Sequence, residues 1–292
     1  MITKIPKNSE VRILRHSGMP LRHIMIYLFL SLFCFSSIAA FVWMFMVSLK
    51  TTPEFVSTSP WALPQKLHFE NYIIAWKNAK IGSFFGNSIF VATVGASSSV
   101  MVSALAAYVI GRIKFKLREF FANYFIIGYM IPLMLMVIPL YFLMRRIGIT
   151  GGMTPLVLIY IASGVPFNIL ILRGFFESLP LELEEAATID GASPFRVFWQ
   201  IMLPLCRAGL VSAFLINFLS LWNEFFLALI FLKQQNATLP LGLYFMANNA
   251  EYTAKWTEVF AGMLIASIPI LIIFALLQNQ ITKGMTSGAI KG

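Results

Sequence analysis

Few side chains in this 292-residue chain are of a kind that performs chemistry. Cys34 and Cys206 sit in or at the edge of apolar stretches without CxxC spacing, so both read as small buried hydrophobes rather than redox or metal groups. His16, His23 and His68 lie at or beyond the ends of apolar runs, with no ligand spacing, and no metal site is expected. There is no G-x-x-x-x-G-K-[ST] phosphate loop, so ATP binding and hydrolysis by that route are not expected on this chain. Glu224 is the one acid inside an apolar stretch, and an ionisable residue in that setting is a functional candidate by default. Asn217, Ser220 and Glu224 follow i, i+3, i+7 spacing and would share a helix face, with Trp222 and Asn223 beside them. Two readings stand. The group is a polar stripe facing a path through the protein, with Trp222 offering an aromatic plane beside it, or it anchors helices and loops. Asn168, after Gly164-Val165-Pro166, poses the choice between a broken helix lining a cavity and a simple proline kink. Asn87 is either on the same path or an interfacial residue.

The elements holding these residues are dictated by composition. The chain is 59% hydrophobic and only 12% charged, with a mean hydropathy of +0.79. An ordinary soluble domain is about 25% charged. The numbers exclude a soluble enzyme and a disulfide scaffold, and point to a membrane-embedded chain. A span needs about 20 mostly apolar residues. Six such runs are expected, at about 24–49, 84–110, 120–144, 154–172, 210–232 and 259–277. The second is rich in small residues, which let helices approach closely in lipid. The runs are apolar throughout rather than alternating, which excludes an outer-membrane barrel. The net charge of +10 reads as topology rather than nucleic-acid binding. With both termini in the cytoplasm, the inner segments hold the larger share of Lys and Arg, densest in Gly111–Glu119. The expected organisation is an all-α polytopic membrane protein: an N-terminal tail (1–21), a six-helix domain (22–281) and a C-terminal tail (282–292), both tails cytoplasmic.

The inner loop 177–204 reads ESLPLELEEAATIDGASPFRVFWQIMLP. Pro180 suits the first turn of a helix, and Glu182, Glu184 and Glu185 complement its dipole. Gly191 can take the left-handed conformation that ends a helix. Ser193 then caps a second helix, which Pro194 opens and whose apolar side holds Phe195, Phe198, Trp199 and Met202. The predicted unit is two short helices at an angle around a glycine turn. It is either a structural interfacial loop or a knob, with a small exposed Glu185-Ala186-Ala187 face, that enters a groove on a partner.

Glu185-Ala186-Ala187, Gly191, Ile201 and Leu203-Pro204, in that spacing, resemble the EAA loop of the inner-membrane permease subunits of ABC importers. Seven fixed residues at ~5–10% abundance each recur by chance at roughly 10⁻⁹ to 10⁻⁷ per start position. The carbohydrate-uptake branch, in particular its smaller maltose-type subunit, is similar over about residues 20–292. The supporting stretches are Lys50-Thr51-Thr52-Pro53-Glu54, Asn87-Ser88, Trp222-Asn223-Glu224 and the terminal Gly284–Gly292. The resemblance implies a type I importer permease in a bacterial inner membrane that carries a sugar, a di- or oligosaccharide. It implies no cofactor on this chain, with ATP and Mg held by two partner ATP-binding subunits. A second homologous permease and an external sugar-binding protein complete the assembly, and lipid surrounds it. Glu185, Ala186, Ala187, Asp190, Gly191, Ile201, Leu203 and Pro204 would form the ATPase-docking loop. Permeases of the same class for amino acids, peptides, metals or glycerol phosphate remain the alternative. A membrane enzyme would need an intramembrane catalytic constellation, and a channel would need a filter or charge ring; neither is present in the sequence.

Overall fold

The computed structural model describes residues 21–289, with side chains to residue 276. The expectations placed on residues 1–20 and 290–292, and on the side chains of the terminal Gly284–Gly292 stretch, lie outside the described residues. In chain order the helices are α1 (Leu21–Ser48), α2 (Thr52–Ser57), α3 (Glu70–Lys77), α4 (Ile81–Arg112), α5 (Arg118–Met130), α6 (Leu133–Arg146) and α7 (Met153–Ser178). They continue as α8 (Glu182–Ile189), α9 (Pro194–Val197), α10 (Leu203–Leu205), α11 (Arg207–Trp222), α12 (Phe226–Phe231), α13 (Leu239–Thr253) and α14 (Trp256–Ala289). One π-helical stretch, Phe198–Met202, joins α9 to α10. Among the described residues the fold is all-α.

Among the described residues four helices, α1, α4, α7 and α14, are long and apolar enough to cross a membrane as single pieces. Two bent pairs raise the number to as many as six. The expected span at 120–144 is not one rod: α5 and α6 meet at a 98° bend at Ile131-Pro132. Pro132 has no N–H to donate back along α5, and its ring drives Ile131 out of the helical region (φ −76°, ψ 118°). The expected span at 210–232 begins earlier, at Arg207, stops at Trp222 and resumes as α12. The α9–α10 segment meets α11 at 73°. By contrast, α7 runs unbroken through Gly164 and Pro166, six residues beyond the expected end at 172. α14 runs to Ala289, past the boundary at 281, so residues 282–289 continue that helix.

The core lies where α4, α7 and α11 cross. One face of α4 presents Ala92, Ala96, Ser99, Ser103 and Ala107, all buried, at spacings of three and four. With no hydrophobic drive between helices in lipid, close backbone approach along such small residues supplies the packing. On one side lies a cluster of Phe84, Val91, Tyr160, Phe218, Trp222 and Leu241. On the other, Tyr108, Leu172, Phe176, Val197, Phe198 and Met202 extend the core beneath α8 and α9. Cys206 is buried there as expected, whereas Cys34 is exposed on α1. α1, α5, α6 and α14 carry most of the large exposed apolar side chains, the surface lipid or another membrane subunit would cover.

Gly209 marks a close approach between α11 and α7, since a Cβ there would stand 2.6 Å from Phe175 Cγ and 3.0 Å from its Cβ. Gly174 has open space around it. Gly209→Ala is expected to destabilise the fold by about 1–3 kcal/mol. Gly174→Ala should be neutral or stabilising by about 0.5–1 kcal/mol. Thermal unfolding in detergent of the two variants side by side measures the difference.

Candidate functional site

Two regions hold the residues singled out in the sequence. The first is the loop beyond α7. α8 begins after Leu179-Pro180-Leu181, so Pro180 precedes the helix rather than opening its first turn. α8 ends in a paired closure: Gly191 N–H donates to Thr188 C=O (3.0 Å) and Ala192 N–H to Ala187 C=O (3.0 Å). That is the Schellman arrangement, and it requires the left-handed φ of +78° that Gly191 adopts. Ser193 Oγ then accepts from Arg196 N–H, capping α9 behind Pro194. The two-helix unit around a glycine turn is therefore as the sequence predicts.

Its faces are divided differently. Glu185 and Ala186 are exposed, but Ala187 is buried in the core beneath α8 and is not part of an exposed knob. A step of two residues turns a helix by about 200°. Ile189 therefore points opposite to Ala187, on the side of Glu185, and is 86% exposed. Asp190, Gly191 and Phe195 are exposed as well. Of the predicted apolar side of the second helix, Phe198 and Met202 are buried with Val197, while Phe195 and Trp199 are exposed. Ile201 and Leu203 pack against the same core, and Pro204 is exposed. Ile189 was legible as an apolar residue off the inward face just before a glycine turn.

Arg112, at the end of α4, fixes this loop and was not singled out in the sequence. Its side chain is only 5% exposed. The guanidinium donates through Nε to Glu184 Oε1 (2.8 Å), through Nη1 to Leu179 C=O (2.8 Å) and through Nη2 to Pro180 C=O (3.1 Å). Arg's planar fork suits one cation serving three acceptors. Arg118 adds bonds to Ile110 C=O (2.6 Å), Gly111 C=O (3.1 Å) and Glu177 Oε1 (3.1 Å), and Arg173 also reaches Glu177 (2.8 Å). The ends of α4, α5, α7 and α8 are thereby tied into one polar bracket.

The second region runs through the helix core. Asn168 Nδ2 donates to Ser99 Oγ (3.0 Å), and Ser103 Oγ donates to Ser99 C=O (2.6 Å) and Val165 C=O (3.3 Å). A Cβ on Gly164 would collide with Asn217 Nδ2 and Ser99 Oγ. The chain thus brings Asn168 and Asn217 together across α4, α7 and α11. Asn168 Oδ1 and Asn217 Nδ2 are buried without a partner among the described residues. The i, i+3, i+7 stripe is not a single surface, however, because Asn217 is buried while Ser220 is exposed. Trp222 is 2% exposed, stacked on Phe218 (5.5–5.9 Å from Phe85 and Phe218 centroids), so its ring belongs to the core in this conformation rather than to a passage wall.

Glu224 acts as a clamp. Oε1 accepts from Leu227 N–H (2.6 Å), and Oε2 accepts from Ala228 N–H (3.2 Å) and the Tyr160 hydroxyl (2.5 Å). Asn223 Nδ2 turns back to Leu219 C=O (2.8 Å). Together they close α11 and start α12, which explains the break in the expected span. Asn87 Nδ2 donates to Ala237 C=O (2.9 Å), and the neighbouring Ser88 Oγ accepts from Leu239 N–H (2.7 Å). These contacts are of the anchoring kind.

The geometry has the parts of a membrane transport subunit: crossing helices, a polar seam between them, and a rigid two-helix loop at one end. Residues 99–287 match the family model described as the inner membrane component of binding-protein-dependent transport systems. The chain belongs to that family. It is 34% identical over 255 residues to a diacetylchitobiose uptake system permease, NgcG, of Streptomyces coelicolor, covering 87% of this chain and 84% of that protein. It is 31% identical over 252 residues to a trehalose transport system permease, SugB, of Mycobacterium tuberculosis, covering 86% and 91%. A crystal structure of a bacterial ABC transporter involved in import of the acidic polysaccharide alginate has the same fold, with a TM-score of 0.76 at 23% identity over 88% of this chain and 95% of that one. The chain is accordingly an ABC-importer permease with the type I fold, a transport subunit rather than an enzyme.

Glu224→Ala removes the acceptor from two amides at the start of α12. Losing such a cap costs about 1–2 kcal/mol. Hydrogen exchange at Leu227 and Ala228 is expected to accelerate roughly five- to thirtyfold, with Arg112 and the distant loop unaffected.

Proposed function

We propose that this chain forms half of the translocation path of an ATP-driven saccharide importer, and that its outer loop face is where a separate ATPase docks. The observation that carries the reading is the Arg112 bracket. A push on α8 reaches Glu184 and the carbonyls of Leu179 and Pro180, and through Arg112 reaches the whole of α4. α4 runs from this loop to the far end of the molecule against α7 and α11. The bracket couples loop displacement to helix displacement without chemistry on this chain, as a rigid-body transition between discrete packings.

In this reading Glu185, Ala186, Ile189 and Asp190 make the outer contact, Gly191 sets the angle between α8 and α9, and Ala187, Ile201 and Leu203 hold the loop to the body. ATP and Mg²⁺ are held on two partner ATPases. A second, homologous permease completes the path and covers exposed apolar helix surface. An external binding protein delivers the cargo, and both termini lie in the cytoplasm. The names of the relatives, which cite diacetylchitobiose and trehalose, support a di- or oligosaccharide cargo.

Uptake of labelled trehalose, diacetylchitobiose, maltose and longer oligosaccharides by cells expressing the complete assembly tests the cargo. Entry of at least one is expected, and a panel that stays outside while an amino acid or peptide enters would overturn the sugar assignment. Gly191→Val forces a β-branched residue to φ +78° and should abolish both uptake and cargo-stimulated ATPase. Arg112→Ala leaves three acceptors without their donor, at about 1–3 kcal/mol for each that stays buried. It should lower sugar moved per ATP hydrolysed at least fivefold while the ATPase still co-purifies. Unchanged stoichiometry in Arg112→Ala would refute the bracket as the transmitting contact.

A further inference from the structure

At the end of α4 opposite the coupling loop there is a concave pocket of about 560 Å³. That is the size of a small-molecule site. Its wall carries the carboxamides of Asn78, Gln234, Gln235 and Asn249, the ammonium of Lys80 and the ring of Phe245. All five of these polar residues are exposed to solvent, and among the described residues none of their side chains has a hydrogen-bond or salt-bridge partner within the chain. Among the described residues no carboxylate lines the pocket. From this we infer that the pocket is a saccharide-binding site on this chain. The inference rests on the saccharide reading given above and names the place where this subunit touches its cargo.

The chemistry favours a sugar over other solutes. A carboxamide both donates and accepts, and so does a hydroxyl, so four carboxamides match a polyol without imposing net charge. Phe245 supplies an apolar plane for the C–H face of a ring. Lys80 admits neutral or acidic sugars and disfavours cationic ones. It also holds a left-handed backbone (φ 63°), uncommon for a residue with a side chain. Backbone conformations of that kind cluster where ligands are held.

The backbone that carries the walls is fixed in advance. The floor is Phe84, packed so closely beneath Gly242 that a Cβ there would overlap its ring. The Gln234–Asn236 turn is pinned to α4 because Asn87 holds Ala237 C=O and Ser88 holds Leu239 N–H. α12, which leads into that turn, is held by Glu224. Asn87 and Glu224 thus serve the pocket by positioning its wall and do not reach into it. A backbone held in place leaves only the side chains to be ordered on binding.

The test uses the complete transporter in vesicles. Gln235→Ala/Asn249→Ala is expected to raise KM for uptake at least fivefold, with maximal uptake and basal ATPase within twofold of wild type. A diazirine derivative of the panel saccharide that the wild-type assembly imports should label peptides spanning 78–80 or 234–249, and free saccharide should compete the label away. The inference is overturned if KM is unchanged and the label falls on the partner permease alone. It is also overturned if benzoylphenylalanine at position 235 crosslinks to the external binding protein while no saccharide label appears, which would make the pocket a docking surface. Normal saccharide import in both cases leaves the transport reading standing. If no saccharide is imported at all, the transport reading and the pocket fall together.

Discussion

Wherever a helix stops, backbone amides or carbonyls are left without intrahelical partners, and near a membrane water cannot be relied on to take them up. In this chain side chains from another element often do so. Arg112 of α4 satisfies carbonyls after α7, and Arg118 of α5 satisfies carbonyls at the end of α4. Asn71 of α3 donates to the carbonyls of Ser48, at the end of α1, and of Lys50 just past it (2.8 Å each). Asn87 serves Ala237 before α13 and Ser88 serves Leu239, its first residue, while Glu224 caps the start of α12 locally and is tied to α7 by the Tyr160 hydroxyl. Each bond that runs between elements fixes the position of one helix end relative to another helix.

The interior between these junctions is held differently. Small residues on α4 allow α7 and α11 to approach, and aromatic side chains fill what remains. Near Gly164 the seam contains two unpaired polar atoms, Asn168 Oδ1 and Asn217 Nδ2. A half-satisfied polar cluster is costly in a low-dielectric setting. The helix ends are thus tightly specified while the crossing point is less so, a distribution suited to a body that keeps its elements intact and alters how they cross.

Much of this was readable from residue types. Apolar run lengths located α1, α4, α7 and α14, and Pro194, Ser193 and Gly191 foretold the two-helix loop, because capping and left-handed turns depend on local backbone chemistry. Pro132 carried the signal for the α5–α6 bend, but it lies in a run apolar enough to pass for one span. Arg112 was hidden for a different reason: its partners lie 67 to 72 residues away, and a long-range bond leaves no mark in local spacing. Trp222 and Ala187 show the same limit. Periodicity says which residues share a face, whereas the direction of that face depends on neighbours distant in sequence.

The π-helical stretch Phe198–Met202 has a consequence for how the loop meets α11. A π turn accommodates one residue more than the α-helical repeat would. Each residue in an α-helix advances the chain by about 100°. The azimuth of α9, and of α8 beyond it, about the segment leading to α11 is therefore set by that single additional residue. The loop's orientation is indexed in steps too large to be absorbed by side-chain adjustment, so changes in chain length are tolerated far less here than changes in residue type.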